Sequence, residues 1–202
     1  MSERLYLYPV WVRLWHWTNA ILCLLLIVSG VSLQYSNPEY PIIRFDIAVS
    51  MHNIAGILLT LSYFVFVIGN LTTSNGKFYK TQINGLFESL KKQFIYYTIG
   101  IFTHAEKPYP VTKDRKFNPL QKVSYLAAMY FFLPLIFITG WGLLFPETNL
   151  TNVFGISGLH LTALLHGIIG FFISVFMFVH IYFCTIGTTT LSNFISMFNG
   201  WH

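Results

Sequence analysis

Four long apolar runs divide this chain, at about 14–33, 50–71, 123–145 and 159–186. Each exceeds the roughly eighteen residues that a membrane-spanning helix needs. Pro38 and Pro41 follow the first run and end its helix. The first run is too long for the apolar region of a cleaved signal, has bulky aromatics at its start and lacks a small-x-small cleavage site. It is expected to remain as the first span. About fifty residues, 72–122, separate the second run from the third, too many for a simple connection. Within them Ile83, Leu86, Phe87, Leu90, Phe94 and Tyr97 recur at three- and four-residue steps, with Glu88, Lys91 and Lys92 between. That period predicts an amphipathic helix on the membrane surface, with a soluble helix packed on a partner subunit as the alternative.

Composition strengthens the membrane reading. Of 202 residues, 54% are hydrophobic and 9% charged, whereas an ordinary soluble domain carries about a quarter charged residues. The formal charge of +5 is unevenly placed. Arg4 and Arg13 precede the first run. Lys77, Lys80, Lys91, Lys92, Lys107, Lys113, Arg115, Lys116 and Lys122 lie between the second and third, and only Arg44 lies elsewhere. The positive-inside rule then puts both termini and the long middle loop in the cytoplasm. The same distribution argues against a nucleic-acid partner, because the basic residues flank spans. The expected fold is an all-α integral membrane protein. It is an antiparallel four-helix transmembrane bundle forming one domain, 1–202, with a cytoplasmic amphipathic helix between spans two and three.

Candidate chemistry lies in the histidines. His166 and His180 are fourteen residues apart on the fourth run. On a helix that advances ~21 Å and returns within ~40° of the same face. Ionisable groups at membrane depth are costly and usually face a cavity, a partner or a cofactor. His16 opens the first run and His52 the second. In an antiparallel bundle His16 and His180 fall at the inner side, His52 and His166 at the outer. Each pair comes from two helices, as a planar macrocycle sandwiched between imidazoles requires. Two pairs ~21 Å apart cannot form the compact shell of zinc or copper. Two haems fit better, with the four imidazoles as axial ligands of the iron. His160 is the rival of His166, while His104 and His202 are expected to be solvated.

Lesser candidates surround these four. Gly56 and Gly170 each lie four residues after a histidine, on its own face, where a porphyrin can approach the backbone. Close helix packing through small residues explains them equally well. Arg13, one turn before His16, suits a haem propionate or an ordinary cytoplasmic anchor. Cys23 and Cys184 form no CxxC or CxxCH motif and read as packing residues. No activated serine or cysteine and no phosphate-binding glycine loop is visible, so substrate catalysis is expected in another subunit.

RLWHW at 13–17, the histidine opening the second run, KFNPLQK at 116–122 and H-x13-H in the fourth run resemble the membrane cytochrome b subunits of respiratory oxidoreductases. These include the gamma subunit of formate dehydrogenase and the cytochromes b of nickel–iron hydrogenase and thiosulfate reductase. The likeness covers nearly the whole chain. Its tail, GTTTLSNFISMFNGW, is closest to the formate dehydrogenase and thiosulfate reductase branch. The resemblance implies two b-type haems, the inner on His16 and His180 and the outer on His52 and His166. It also implies a quinone pocket beside the inner haem, matched by Asn118 with Gln121 and Lys122 in support. Pro119 and Leu120 depart from the small residues of relatives, and proline removes a backbone N–H there. Asn118 equally suits a helix cap.

The implied activity is electron transfer across the bacterial or archaeal cytoplasmic membrane. It would join an extracytoplasmic iron–sulfur or multihaem c-type subunit to menaquinone or ubiquinone near the cytoplasmic face. Two rivals stand beside it: a self-contained transmembrane reductase using a small soluble donor such as ascorbate, and a histidine-lined transporter or anchor.

Overall fold

The computed structural model describes residues 5–37, 39–80, 84–187 and 189–202. Arg4, Pro38 and Ile83 lie outside the described residues. Four helices are long and apolar enough to cross a membrane: Val10–Tyr35, Phe45–Thr72, Pro119–Leu144 and Gly158–Cys184. All four runs expected from hydropathy are present, the first three starting four to five residues earlier. Pro9 supplies the extended residue from which α1 (Val10–Tyr35) begins. Helix α2 (Phe45–Thr72) starts with Asp46 in its first turn, where a carboxylate suits the helix dipole.

Large apolar side chains cover the outside of these helices. Ile21, Leu61, Phe64, Ile138, Phe171 and Phe178 are all exposed. In water this would be ruinous, whereas lipid tails are as apolar as the side chains themselves. The protein is a membrane protein in contact with lipid. Its small internal core joins Leu22, Ala55, Leu59 and Leu133, with Cys23, Leu26, Tyr63 and Ile136 packed round it. Polar clasps add to this packing. Asn19 donates to the Ser62 hydroxyl at 2.7 Å, and the Trp15 indole to the Ser62 carbonyl at 3.0 Å.

The 10-residue helix α3 (Leu86–Ile95) lies in the middle segment and runs into a π-helical turn, Tyr96–Gly100. Its apolar stripe is split. Gln93 is buried, whereas Phe87 and Phe94 are exposed. The third span begins as α4 (Pro119–Ala127), opens into a π turn at Ala128–Phe132 and continues as α5 (Leu133–Leu144). Pro134 accounts for the wide turn: it has no N–H to donate, and its ring crowds the carbonyl four residues earlier.

The fourth span is α6 (Gly158–Cys184). It packs chiefly on α5, as α1 packs on α2. A short helix, α7 (Ser192–Asn199), then returns the chain to its beginning. Leu5 and His202 exchange backbone hydrogen bonds at 3.0 and 2.9 Å. Gly200 makes that return possible. It sits at φ +88°, and a Cβ there would stand 2.7 Å from the Tyr8 carbonyl oxygen.

Candidate functional site

The four span histidines form two pairs. The ring centroids of His16 (α1) and His180 (α6) are 6.1 Å apart, with planes inclined by 59°. Those of His52 (α2) and His166 (α6) are also 6.1 Å apart, inclined by 70°. His160 is exposed, so His166 is the residue that faces His52. Two imidazoles opposed across one metal, with metal–nitrogen bonds of ~2 Å, place their centroids ~6 Å apart. Both pairs fit that spacing. Among the described residues, no three of His, Cys, Asp and Glu gather into a shell for a bare ion.

The His52–His166 pair is flanked by hydroxyls. Ser29 Oγ lies 2.9 Å from His52 Nδ1, and Thr139 Oγ1 lies 2.9 Å from His166 Nδ1. The next residue in each case is a glycine against the same ring. A Cβ at Gly30 would stand 3.4 Å from His52 Cε1, and one at Gly140 3.2 Å from His166 Cε1. These four residues escaped the sequence reading, which looked for glycines on the histidines' own helices. A Cβ at Gly56 would stand 3.9 Å from Leu26, and one at Gly170 3.6 Å from Ile136, each on a neighbouring helix. The signal available was a recurring pattern: Ser-Gly at 29–30 before H-x3-G in α2, Thr-Gly at 139–140 before H-x3-G in α6.

The His16–His180 pair is less completely partnered. His16 Nδ1 is buried without a hydrogen-bond partner, as is Arg13 Nε. The other end of the Arg13 guanidinium donates to the Phe198 carbonyl, the last turn of α7, where a cation suits the helix dipole. An orphaned buried guanidinium nitrogen beside an orphaned imidazole fits an anionic, metal-bearing group. His180 Nδ1 faces the Tyr125 hydroxyl at 3.4 Å, and its Nε2 faces Cys184 Sγ at 3.7 Å. Phe176 stacks on the His180 ring, and Trp17 stacks on Phe198 at 4.4 Å.

Asn118, Gln121 and Lys122 lie at the start of the third span. Asn118 and Gln121 form a reciprocal capping box: Gln121 N–H donates to Asn118 Oδ1 at 2.9 Å, and Asn118 N–H to Gln121 Oε1 at 3.1 Å. Asn118 Nδ2 also donates to the Tyr97 hydroxyl at 2.6 Å, tying the π turn after α3 to the start of α4. Lys122 contributes its backbone N–H to the Asn118 carbonyl.

Lys116 is a polar centre that spacing did not single out. It is 7% exposed, and its ammonium donates to Asn75 Oδ1 at 2.9 Å. That ammonium lies 4.2 Å from the Phe78 ring centroid and 5.4 Å from that of Tyr8. Burial, with Lys77 nearby, brings its pKa down to about 8. Burial also pushes the Tyr8 phenol up to about 12 and the Tyr79 phenol above the ordinary range. The pocket thus keeps its phenols neutral while holding a readily released ammonium proton.

Comparison with known proteins agrees with this architecture. The family model for prokaryotic cytochrome b561 matches residues 7–200. A protein of Escherichia coli (strain K12) named "Putative cytochrome YdhU" is 38% identical over 202 residues, covering 100% of this chain and 76% of that protein. No solved structure matches the chain significantly.

Proposed function

The chain belongs to the prokaryotic cytochrome b561 family, whose business is haem-based electron transfer across a membrane, and from that premise we propose that it is a diheme electron carrier. It links a redox subunit outside the membrane to quinone near the cytoplasmic face. The observation that carries this reading is the pairing of all four span histidines, each pair 6.1 Å between centroids and drawn from two helices. Haem b supplies reversible one-electron chemistry when bound.

The protein's own part is to hold, insulate and space. His16 and His180 would hold the inner haem, and His52 and His166 the outer one. Helix α6 carries one ligand of each pair, so its rise sets them ~21 Å apart along the bundle. Arg13 Nε is the donor available to a propionate, and Gly30 and Gly140 leave room beside the outer imidazoles. The charge distribution supports cytoplasmic termini. Asn118, Gln121 and Lys122 mark the quinone side. Lys116 is placed to deliver a cytoplasmic proton there. With no catalytic constellation of its own, the chain leaves the primary substrate to its partner, an iron–sulfur or multihaem c-type subunit. Exposed Phe87 and Phe94 suit α3 to lie against the inner leaflet.

Pyridine haemochrome analysis of the purified full chain tests this directly, with about two haems b per chain expected from the two axial pairs. Addition of a quinol analogue should reduce them, and co-purification should recover a redox subunit. Full-length folded protein that binds no haem refutes the reading. A haem-loaded chain that takes electrons from ascorbate but never from quinol favours a self-contained reductase instead.

A further inference from the structure

The hydroxyls beside the outer pair have only one proton each. Ser29 donates its proton to the Leu25 carbonyl at 2.7 Å, and Thr139 to the Leu135 carbonyl at 2.9 Å. Towards the imidazoles both oxygens are therefore acceptors. Ser29 and Thr139 are buried, at 0% and 5% exposure, so bulk water does not compete.

We infer that Ser29 and Thr139 are positioning residues for the outer haem, acting through its two axial ligands; this rests on the diheme reading above. They hold His52 and His166 as Nδ1–H tautomers, which leaves each Nε2 lone pair for iron. Drawing on the Nδ1 proton also makes the imidazole a stronger donor. Stronger donation favours the ferric state and lowers the midpoint potential of that haem. The His16–His180 pair is held differently: His16 Nδ1 has no partner among the described residues, and His180 Nδ1 meets only the longer contact of the Tyr125 hydroxyl, at 3.4 Å. The two haems are thereby made inequivalent by local hydrogen bonding.

Redox titration of the b-type absorbance in the haem-loaded full chain tests the assignment. Thr139→Val keeps the shape and removes the hydroxyl; Ser29→Ala removes the other from the opposite side of the pair. Each should move one of two midpoints upward and leave the other in place. Thr139→Ser should restore the original value. Ser174→Ala, whose hydroxyl bonds only the Gly170 carbonyl at 2.7 Å, should be silent. The shifted component should be the one retained in His180→Ala. Two haems loaded with both midpoints unmoved in Thr139→Val and Ser29→Ala overturn the inference while leaving the diheme reading intact. Movement of the component that His180→Ala removes overturns it equally. Wild-type protein with fewer than two bis-imidazole haems overturns the diheme reading and the inference together.

Discussion

Gly140→Ala should cripple the outer haem site by adding one carbon. The new Cβ would stand 3.2 Å from His166 Cε1 and 3.8 Å from its Nδ1. Unstrained carbon–carbon contact lies at ~3.5–4.0 Å, so the ring must yield several tenths of an ångström. It is poorly able to, because Thr139 fixes one edge and iron would fix the other. Overpacking of this kind costs about 1–3 kcal/mol. Charged wholly to the haem-bound state, that is roughly 5- to 150-fold in haem affinity. Gly30→Ala brings its Cβ only to 3.4 Å from His52 Cε1 and should cost less than about 1 kcal/mol. At Gly167 a Cβ meets nothing within 4 Å. Gly167→Ala therefore isolates the helix-propensity gain of about 1 kcal/mol common to all three. The assay is haemin titration of protein produced under haem limitation, read at the Soret band and checked by haemochrome. The expected order of loss is Gly140, then Gly30, with Gly167 unaffected. Gly140→Ala that loads like Gly167→Ala refutes the reasoning.

Other consequences are equally accessible. His180→Ala and His52→Ala should each reduce the haemochrome yield from about two haems per chain to about one, with different residual spectra. Burial, with Lys77 nearby, brings the pKa of folded Lys116 down to about 8 from the ordinary value of 10.5. Between those values the unfolded chain binds more protons, so folding stability should rise with pH. Thermal unfolding in detergent should show wild type gaining on Lys116→Met across that window; parallel curves would contradict the buried ammonium. Asn118→Ala breaks the capping box and should cost about 1 kcal/mol, whereas Asn118→Asp keeps the cap acceptor and should lose mainly the bond to Tyr97. Equal thermal shifts in the two would disprove that division. Arg13→Gln should loosen α7, seen as faster amide exchange at Gly200, whose N–H is held by the Ser196 carbonyl at 2.8 Å.

The spans, their order and the depth of each histidine were legible along the chain. Hydropathy is summed locally over about twenty residues, and no tertiary contact is needed to decide it. Depth then matched His16 with His180 and His52 with His166. Reading contacts was harder. Gly56 and Gly170 were chosen because helical periodicity reveals neighbours on the same helix. The residues that touch the outer imidazoles, Ser29, Gly30, Thr139 and Gly140, lie on facing helices 22 to 27 residues away in sequence. Asn118 was readable both as a cap and as a quinone contact. Its Oδ1 and Nδ2 are now seen to engage Gln121 and Tyr97.

Sequence alone therefore determined what must lie in the membrane and at which level each imidazole sits, because burial in lipid is governed by local composition. Only the tertiary structure decided that His166 rather than His160 faces His52, that the Ser29 and Thr139 hydroxyls meet those two rings, and that Arg13 reaches the end of α7. Those outcomes depend on helix rotation and on which side chains meet across an interface. A rotation of one residue step, ~100°, would change every such contact while leaving the hydropathy profile untouched.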